Sequence, residues 1–295
     1  MKYAVTGGAG FIGSHLADTL IENGHSVRII DNFLLGKKEN VNPQAECFEV
    51  DICDLEALKE AVNGVDGIFH LAADPRLPIS IEQPEQTHNV NVNGTLNVLI
   101  AAKDCAVKKV VFTSTCALYG DNQPLPLAED ATISPKSPYG LHKFIGEQYA
   151  RLFHELYGLE TVCLRYFNVY GTRKTADGGY PMVIPIFLKQ KSEGKPMTIV
   201  GDGKSTRDYV HVSDVVQANI MAMESDVKDG RAYNVGSGIQ VSVNDIAEKI
   251  GGETVNLPER KGELRFLESD YSKINKELGW KPTVSFDEGL QELLS

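Results

Sequence analysis

Apolar residues fall along the first half of this chain in two alternating rhythms. Short apolar runs at 2–6, 26–31, 47–50, 67–73, 109–114 and 160–166 read as strands. Between them, stretches with helical spacing occupy 11–23, 54–62, 83–104 and 138–157. In the first of these, Phe11, Ile12, Leu16, Leu20 and Ile21 recur at helical spacing and Gly24 ends the pattern. Strands alternating with helices predict βαβ units, and so a parallel sheet covered by helices on both faces.

The second half is less regular. Residues 171–206 are rich in Gly, Pro and Lys, with one helical stretch near 182–192. Strand patterns at 208–212 and 232–238 flank a helix at 213–224. The expected architecture is α/β, a Rossmann-type doubly wound parallel sheet from residues 1–170, with 208–236 folding back onto it. Residues 171–207 and 237–295 then form a smaller mixed α/β part over the carboxyl edge of the sheet, where such folds bind ligands.

With 295 residues, 42% of them hydrophobic, the chain can bury a large core. A net charge of −11 argues against a nucleic-acid or anionic-membrane surface, though a local basic pocket stays open. No apolar window approaches a membrane span, and the first apolar run is too short for a secretory signal. The five cysteines, Cys47, Cys53, Cys105, Cys116 and Cys163, form no CxxC pair and read as reduced thiols of a cytoplasmic protein. Neither they nor the seven histidines stand at metal-ligand spacing, so no metal is expected.

Gly7, Gly10 and Gly13 punctuate "GGAGFIG" between the first strand and the first helix. The first allows a tight turn, the second lets backbone approach a pyrophosphate, and the third lets the helix pack close. With Asp31 ending the next strand, the context is that of a dinucleotide site. A carboxylate at that place accepts from a ribose 2′-hydroxyl and repels a 2′-phosphate, which favours NAD over NADP. Lys37 and Lys38 argue the other way but lie further on.

Tyr139 and Lys143 in "YGLHK" stand four apart on one helical face. An ammonium beside a phenol, with a cationic nicotinamide, is expected to favour the phenolate and make the tyrosine a usable base. Upstream, "STCALYG" at 114–120 offers Cys116 as a nucleophile, but no base accompanies it, and hydride transfer needs none. Cys116 reads as a small filler, and Thr115 as the useful hydroxyl.

Taken together, "TGGAGFIG", "DN" at 31–32, "DI" at 51–52, "HLAA" at 70–73, "NVNGT" at 91–95, "STCALYG", "YGLHK", "LRYFNVYG" and "RDYVHVSD" resemble the extended short-chain dehydrogenase/reductases. Within that family the chain most resembles the UDP-glucose (UDP-galactose) 4-epimerases, over its whole length. The resemblance implies Tyr139 as acid/base, Lys143 orienting the nicotinamide ribose, and Thr115 binding the reacting oxygen. It implies a cofactor site of Gly7, Gly10, Phe11, Ile12, Gly13, Asp31, Asn32, Phe33, Leu35, Gly36, Asp51, Ile52, Leu71, Ala72, Ala73, Asn91, Thr113 and Phe167, besides Tyr139 and Lys143. Asn168, Val183, Thr198, Ile199, Arg207, Arg260, Glu263 and Leu267 would join Thr115 and Tyr139 on the sugar nucleotide. Glu263 stands where the family usually has an aspartate, and Leu267 where a large aromatic gates the sugar pocket.

Dehydratases and decarboxylases of this family carry an acid at the position of Ala117. Its absence points to 4-epimerisation of UDP-glucose and UDP-galactose through a 4-keto sugar, with N-acetylhexosamines also admitted. The alternatives are another NAD-dependent nucleotide-sugar dehydratase or reductase, or a non-catalytic NAD-binding regulator. A homodimer through helices 83–104 and 138–157 is implied by the same resemblance.

Overall fold

The computed structural model describes residues 1–121, 123–176, 182–258 and 266–295. The chain runs β1 (Lys2–Thr6), α1 (Phe11–Glu22), β2 (Ser26–Asp31), β3 (Glu46–Glu49), α2 (Leu55–Val62) and β4 (Gly67–His70). It continues α3 (Leu77–Glu82), α4 (Pro84–His88), α5 (Thr95–Asp104), β5 (Lys109–Thr115), α6 (Pro138–Tyr157), β6 (Glu160–Tyr166) and β7 (Asn168–Tyr170). Then come α7 (Val183–Ser192), β8 (Met197–Val200), β9 (Thr206–His211), α8 (Val212–Glu224), β10 (Asp229–Val235), β11 (Gln240–Ser242), α9 (Val243–Ile250), β12 (Thr254–Leu257), α10 (Ser272–Leu278) and α11 (Phe286–Leu294).

Seven parallel strands form the main sheet in the order β10-β6-β5-β4-β1-β2-β3. The strands alternate sides as their period of two demands. In β1, Tyr3 and Val5 join one core with Leu16, Leu20 and Val215, while Ala4 joins the other with Leu58, Val62, Val98 and Leu99. Both faces of the inner strands are therefore dry, which explains why those strands read as unbroken apolar runs, while edge strand β3 is largely exposed. The order reverses between β1 and β4, and that switch point opens a crevice at the strands' carboxyl ends.

β9 pairs with β7 and β11 in a separate three-stranded sheet, while α8 packs on α1 and β10 closes the edge of the main sheet. β8 and β12 make a third, two-stranded sheet. These small sheets share a core of Tyr170, Ile184, Phe187, Tyr209 and Ile246. Trp280, 2% exposed, docks the C-terminal segment by donating from Nε1 to Asp214 O at 2.9 Å.

The expected helix over 83–104 is one rod with a flaw: α4 passes through a π-helical turn, Asn89–Gly94, into α5. α6 matches its expected span because its ends are signalled locally. Ser137 caps it by accepting from the Gly140 amide, Pro138 starts it, and Gly158 ends it at φ 72°. A Cβ at Gly146 would stand 2.4 Å from the Phe112 ring, so glycine is what lets α6 lie close on β5.

Candidate functional site

The turn between β1 and α1 is built for close approach. Gly7 has φ 70°, and a Cβ at Gly13 would lie 2.2 Å from the Gly7 carbonyl. Gly10 occupies the N-cap and brings no capping side chain, so the first amides of α1 point out with the positive end of the helix. Phe11 and Ile12 follow, half-buried against the core. This glycine cradle, with its outward amides, suits a pyrophosphate. Across the switch point, Ala72 N donates to Thr6 Oγ1 at 3.2 Å, with Leu71 and Ala73 on either side.

Asp31 sits at the end of β2, 8% exposed, where it accepts from Ala9 N at 3.0 Å and Phe33 N at 2.8 Å. Burial pushes its carboxyl up, and those two amides oppose the rise. Phe33 has φ 57°, Leu35 is exposed, and Gly36 abuts the Asp31 carboxylate so closely that a Cβ would stand 2.7 Å from it. Asn32 Nδ2 donates to Asp51 at 2.9 Å, and the Cys53 amide donates at 2.8 Å. Burial works against the Asp51 charge, yet these donors hold its carboxyl below the ordinary value. Ile52 is buried beside them. The donor set fits an adenosine whose ribose meets Asp31.

Thr115 ends β5 and Tyr139 lies in the first turn of α6, and the structure brings their side chains into hydrogen-bonding contact. Lys143, one turn on, is 1% exposed and donates from Nζ to Thr113 O at 2.8 Å. Here the electrostatics differ from the expectation drawn from spacing. The ammonium is turned to that carbonyl, and burial dominates both groups. It holds the Tyr139 phenol above its ordinary range, aided by Cys116 and Asp74 and opposed by Thr115. It lowers the Lys143 ammonium from 10.5 to about 7.

His70 bridges Thr6 Oγ1 at 2.7 Å and Thr95 Oγ1 at 3.0 Å, and burial pushes it down to about 3, so it stays neutral. Burial raises the Cys116 thiol to about 12, which leaves it a poor nucleophile at neutral pH. Asn91, 1% exposed, and Thr113, whose hydroxyl donates to Tyr166 at 3.2 Å, complete the buried wall with Phe167.

On the sugar side, Asn168 donates to Asp208 O at 3.1 Å, and Arg207 of β9 acts on Cys116 from across the cleft. Val183 starts α7. Thr198 is tied to Gln190 at both its hydroxyl and its backbone amide, and Ile199 is buried in the small core, with both residues paired to β12. Leu267, 4% exposed, packs with Tyr119 and Phe167. Arg260 and Glu263 lie outside the described residues. Residue patterns alone missed Asp74 and Arg76, which pair with each other in the loop after β4, and Ser80 of α3, whose hydroxyl accepts from Tyr139 N at 3.3 Å. The signal was the charged pair in "DPR" directly after "HLAA".

A dinucleotide cradle next to a buried tyrosine and lysine can move a hydride and a proton at one carbon. That chemistry makes the class a nicotinamide-dependent enzyme. The chain belongs to the NAD dependent epimerase/dehydratase family, whose model matches residues 3–236, and NAD is its cofactor. It is 35% identical to a UDP-glucose 4-epimerase of Mycolicibacterium smegmatis, over 98% of this chain and 96% of that one. It is 36% identical to a UDP-N-acetyl-alpha-D-glucosaminuronate decarboxylase of Bacillus cytotoxicus, over 98% and 95%. The crystal structure of Thermotoga maritima UDP-glucose 4-epimerase with UDP-glucose matches at a TM-score of 0.95 and 40% identity, covering 99% of this chain and 97% of that one. Among the described residues no helix is long and apolar enough to cross a membrane.

Proposed function

We propose that the protein is a nucleotide-sugar 4-epimerase that interconverts UDP-glucose and UDP-galactose through a 4-keto sugar. One observation carries the reading. The turn after Thr115 presents Cys116 and Ala117, so no carboxylate follows the reactive hydroxyl, and the thiol keeps its proton. Elimination or decarboxylation needs a further acid/base group, whereas epimerisation at C4 does not. NAD, when bound, supplies reversible hydride acceptance. Tyr139 takes the proton of the sugar 4-hydroxyl and later returns it. Thr115 holds that oxygen, and Lys143 orients the ribose beside it. Asn168, Arg207 and Arg260 hold the diphosphate and Glu263 the ribose, with arginine suited to bidentate phosphate contact. Leu267 in place of a bulky aromatic leaves room for an N-acetyl group.

The test is product analysis on purified protein given UDP-galactose, then UDP-glucose, UDP-N-acetylglucosamine and dTDP-glucose. UDP-glucose formed from UDP-galactose supports the reading, as does loss of turnover with retained NAD in Tyr139→Phe. Dehydrated or decarboxylated products, or no turnover of any UDP-hexose, refute it.

The same reading includes a homodimer. Leu152 and Leu156 of α6 are 42% and 62% exposed, and half-buried Val90, Leu96, Ile100, Phe144 and Tyr149 continue the apolar surface over α5 and α6. A monomeric mass in solution overturns that part.

A further inference from the structure

A buried carboxylate outside the proposed chemistry gathers the sugar side of the cleft. Asp208 follows Arg207 on β9 and is 0% exposed. Its side chain accepts from five donors on two other segments. Oδ1 takes the Ser237 amide at 2.6 Å and the Ser237 hydroxyl at 2.8 Å, both from the turn after β10. Oδ2 takes the Gly238 amide of the same turn at 2.9 Å. It also takes the Ser269 amide at 2.9 Å and the Ser269 hydroxyl at 2.6 Å, from the segment before α10. The junction is tight. A Cβ at Gly236 would stand 2.3 Å from the Ser269 hydroxyl oxygen and 2.9 Å from Asp208 Oδ2.

Around this carboxylate stand residues proposed for the sugar nucleotide. Arg207 precedes it on the strand. Asn168 donates from Nδ2 to its backbone carbonyl at 3.1 Å. Leu267 lies just ahead of Ser269 in the chain and packs with Tyr119, Leu127 and Phe167. The Leu127 backbone ties this segment to its own loop, donating to Glu268 O and accepting from Asp270 N, each at 2.8 Å. The Asp208 bonds tie the same segment to β9.

The donor pattern suits a carboxylate and nothing else of its size. Two oxygens with about four lone-pair sites can take such a set, whereas an asparagine offers one oxygen and turns an NH2 on the remaining donors. Buried donors without a partner are costly, so the segments would shift rather than stay in place around an amide.

Asp214 gives a comparison within the same fold. It is 1% exposed and accepts from the Thr283 amide at 2.9 Å, the Thr283 hydroxyl at 2.6 Å and the Val284 amide at 3.1 Å. It docks the C-terminal segment on α8, and none of those partners belongs to the proposed sugar-nucleotide site.

We propose that Asp208 is a positioning residue for the sugar nucleotide, a clamp that holds the segment carrying Leu267 to the strand carrying Arg207. It fixes the spacing between the sugar-pocket gate and the diphosphate contact before substrate arrives. The inference rests on the proposed nucleotide-sugar site.

The test is steady-state kinetics with UDP-galactose on NAD-loaded wild type, Asp208→Asn, Ser269→Ala and Asp214→Asn. Thermal unfolding and the nucleotide released on denaturation are measured on the same samples. Asp208→Asn raises KM about tenfold or more, with kcat within about threefold and NAD retained, because the loss is in binding that ground and transition states share. Ser269→Ala removes one hydroxyl donor and raises KM by about threefold. Asp214→Asn lowers the unfolding temperature and leaves KM within about twofold. An unmoved KM in Asp208→Asn, a loss confined to kcat, or an equal rise in Asp208→Asn and Asp214→Asn overturns the proposal, because a structural loss alone does not single out substrate binding. Should Asp208→Asn fail to fold, Ser269→Ala carries the test against Thr283→Ala, and an unmoved or equal KM overturns the clamp. Absence of UDP-hexose turnover by wild type is a separate result and sinks the nucleotide-sugar reading instead.

Discussion

Lys143→Met separates what this lysine does for the reaction from what it costs the fold. Its ammonium is buried, has one hydrogen bond to Thr113 O, and lies 4.9 Å from the Phe112 ring centroid. Among the described residues no carboxylate pairs with it. Burial lowers its proton affinity from 10.5 to about 7. At about 1.4 kcal/mol per tenfold, that fall amounts to roughly 4–5 kcal/mol. The sign follows from where protons sit. Between about pH 7 and 10.5 the unfolded chain binds the proton and the folded one does not, so stability rises with pH across that window. The penalty is whole below about pH 7 and gone above 10.5.

Methionine keeps most of the side-chain volume and removes the charge. It leaves the Thr113 carbonyl short of one donor, a loss of about 1–3 kcal/mol. The net gain below pH 7 is about 1–4 kcal/mol, a rise in Tm of a few degrees for a chain of this size. Turnover falls by about a hundredfold or more, since positioned acid/base chemistry is worth that much. Calorimetry on nucleotide-free protein at about pH 6 and about pH 9 checks the first part, and the advantage shrinks at the higher pH. A variant less stable than wild type below pH 7, or a difference that ignores pH, refutes the reasoning.

Three other substitutions test separate parts of the structure. Gly13→Ala puts a methyl 2.2 Å from the Gly7 carbonyl, and the turn must open; nucleotide released on denaturing the purified variant should show NAD lost. Glu147→Leu strands the buried Arg165, which now holds Glu147 at 2.8 and 2.9 Å, and should lower stability by about 3–5 kcal/mol in denaturant unfolding. Cys116→Ala should keep turnover within about threefold, because a thiol held near 12 is neither base nor nucleophile at neutral pH; a hundredfold loss would make it a participant.

The main sheet was legible because its inner strands are buried on both faces and its helices on one. The limits of β1, β2 and β6 follow their apolar runs, and α6 carries its own start and stop signals. β7, β8, β11 and β12 are three or four residues long, and every residue of β12 is exposed, so no period can accumulate. α3 is short for a similar reason: six residues hold barely more than one turn of pattern. The π turn at Asn89–Gly94 is a matter of how many residues fit one revolution, and hydrophobic spacing does not count that. Tertiary contact accompanies it. A Cβ at Gly94 would stand 2.6 Å from Ile52, and Asn91 is held against Asp74.

In the site, the legible residues are those whose chemistry imposes a local spacing: three glycines in one turn, a tyrosine and a lysine four apart. The electrostatics are not local. Lys143 finds its acceptor thirty residues back, and the charges felt at Tyr139 come from β4's loop and from the turn after β5. Spacing alone makes the ammonium the tyrosine's neighbour and predicts an easier phenolate. Burial decides otherwise, because it acts on both groups at once and disfavours charge on either. Each is pushed toward its neutral form, so folding by itself does not prepare the base. The polar groups that oppose burial therefore matter more than the helix spacing does. Thr115 favours the phenolate, while burial above all, then Cys116 and Asp74, oppose it.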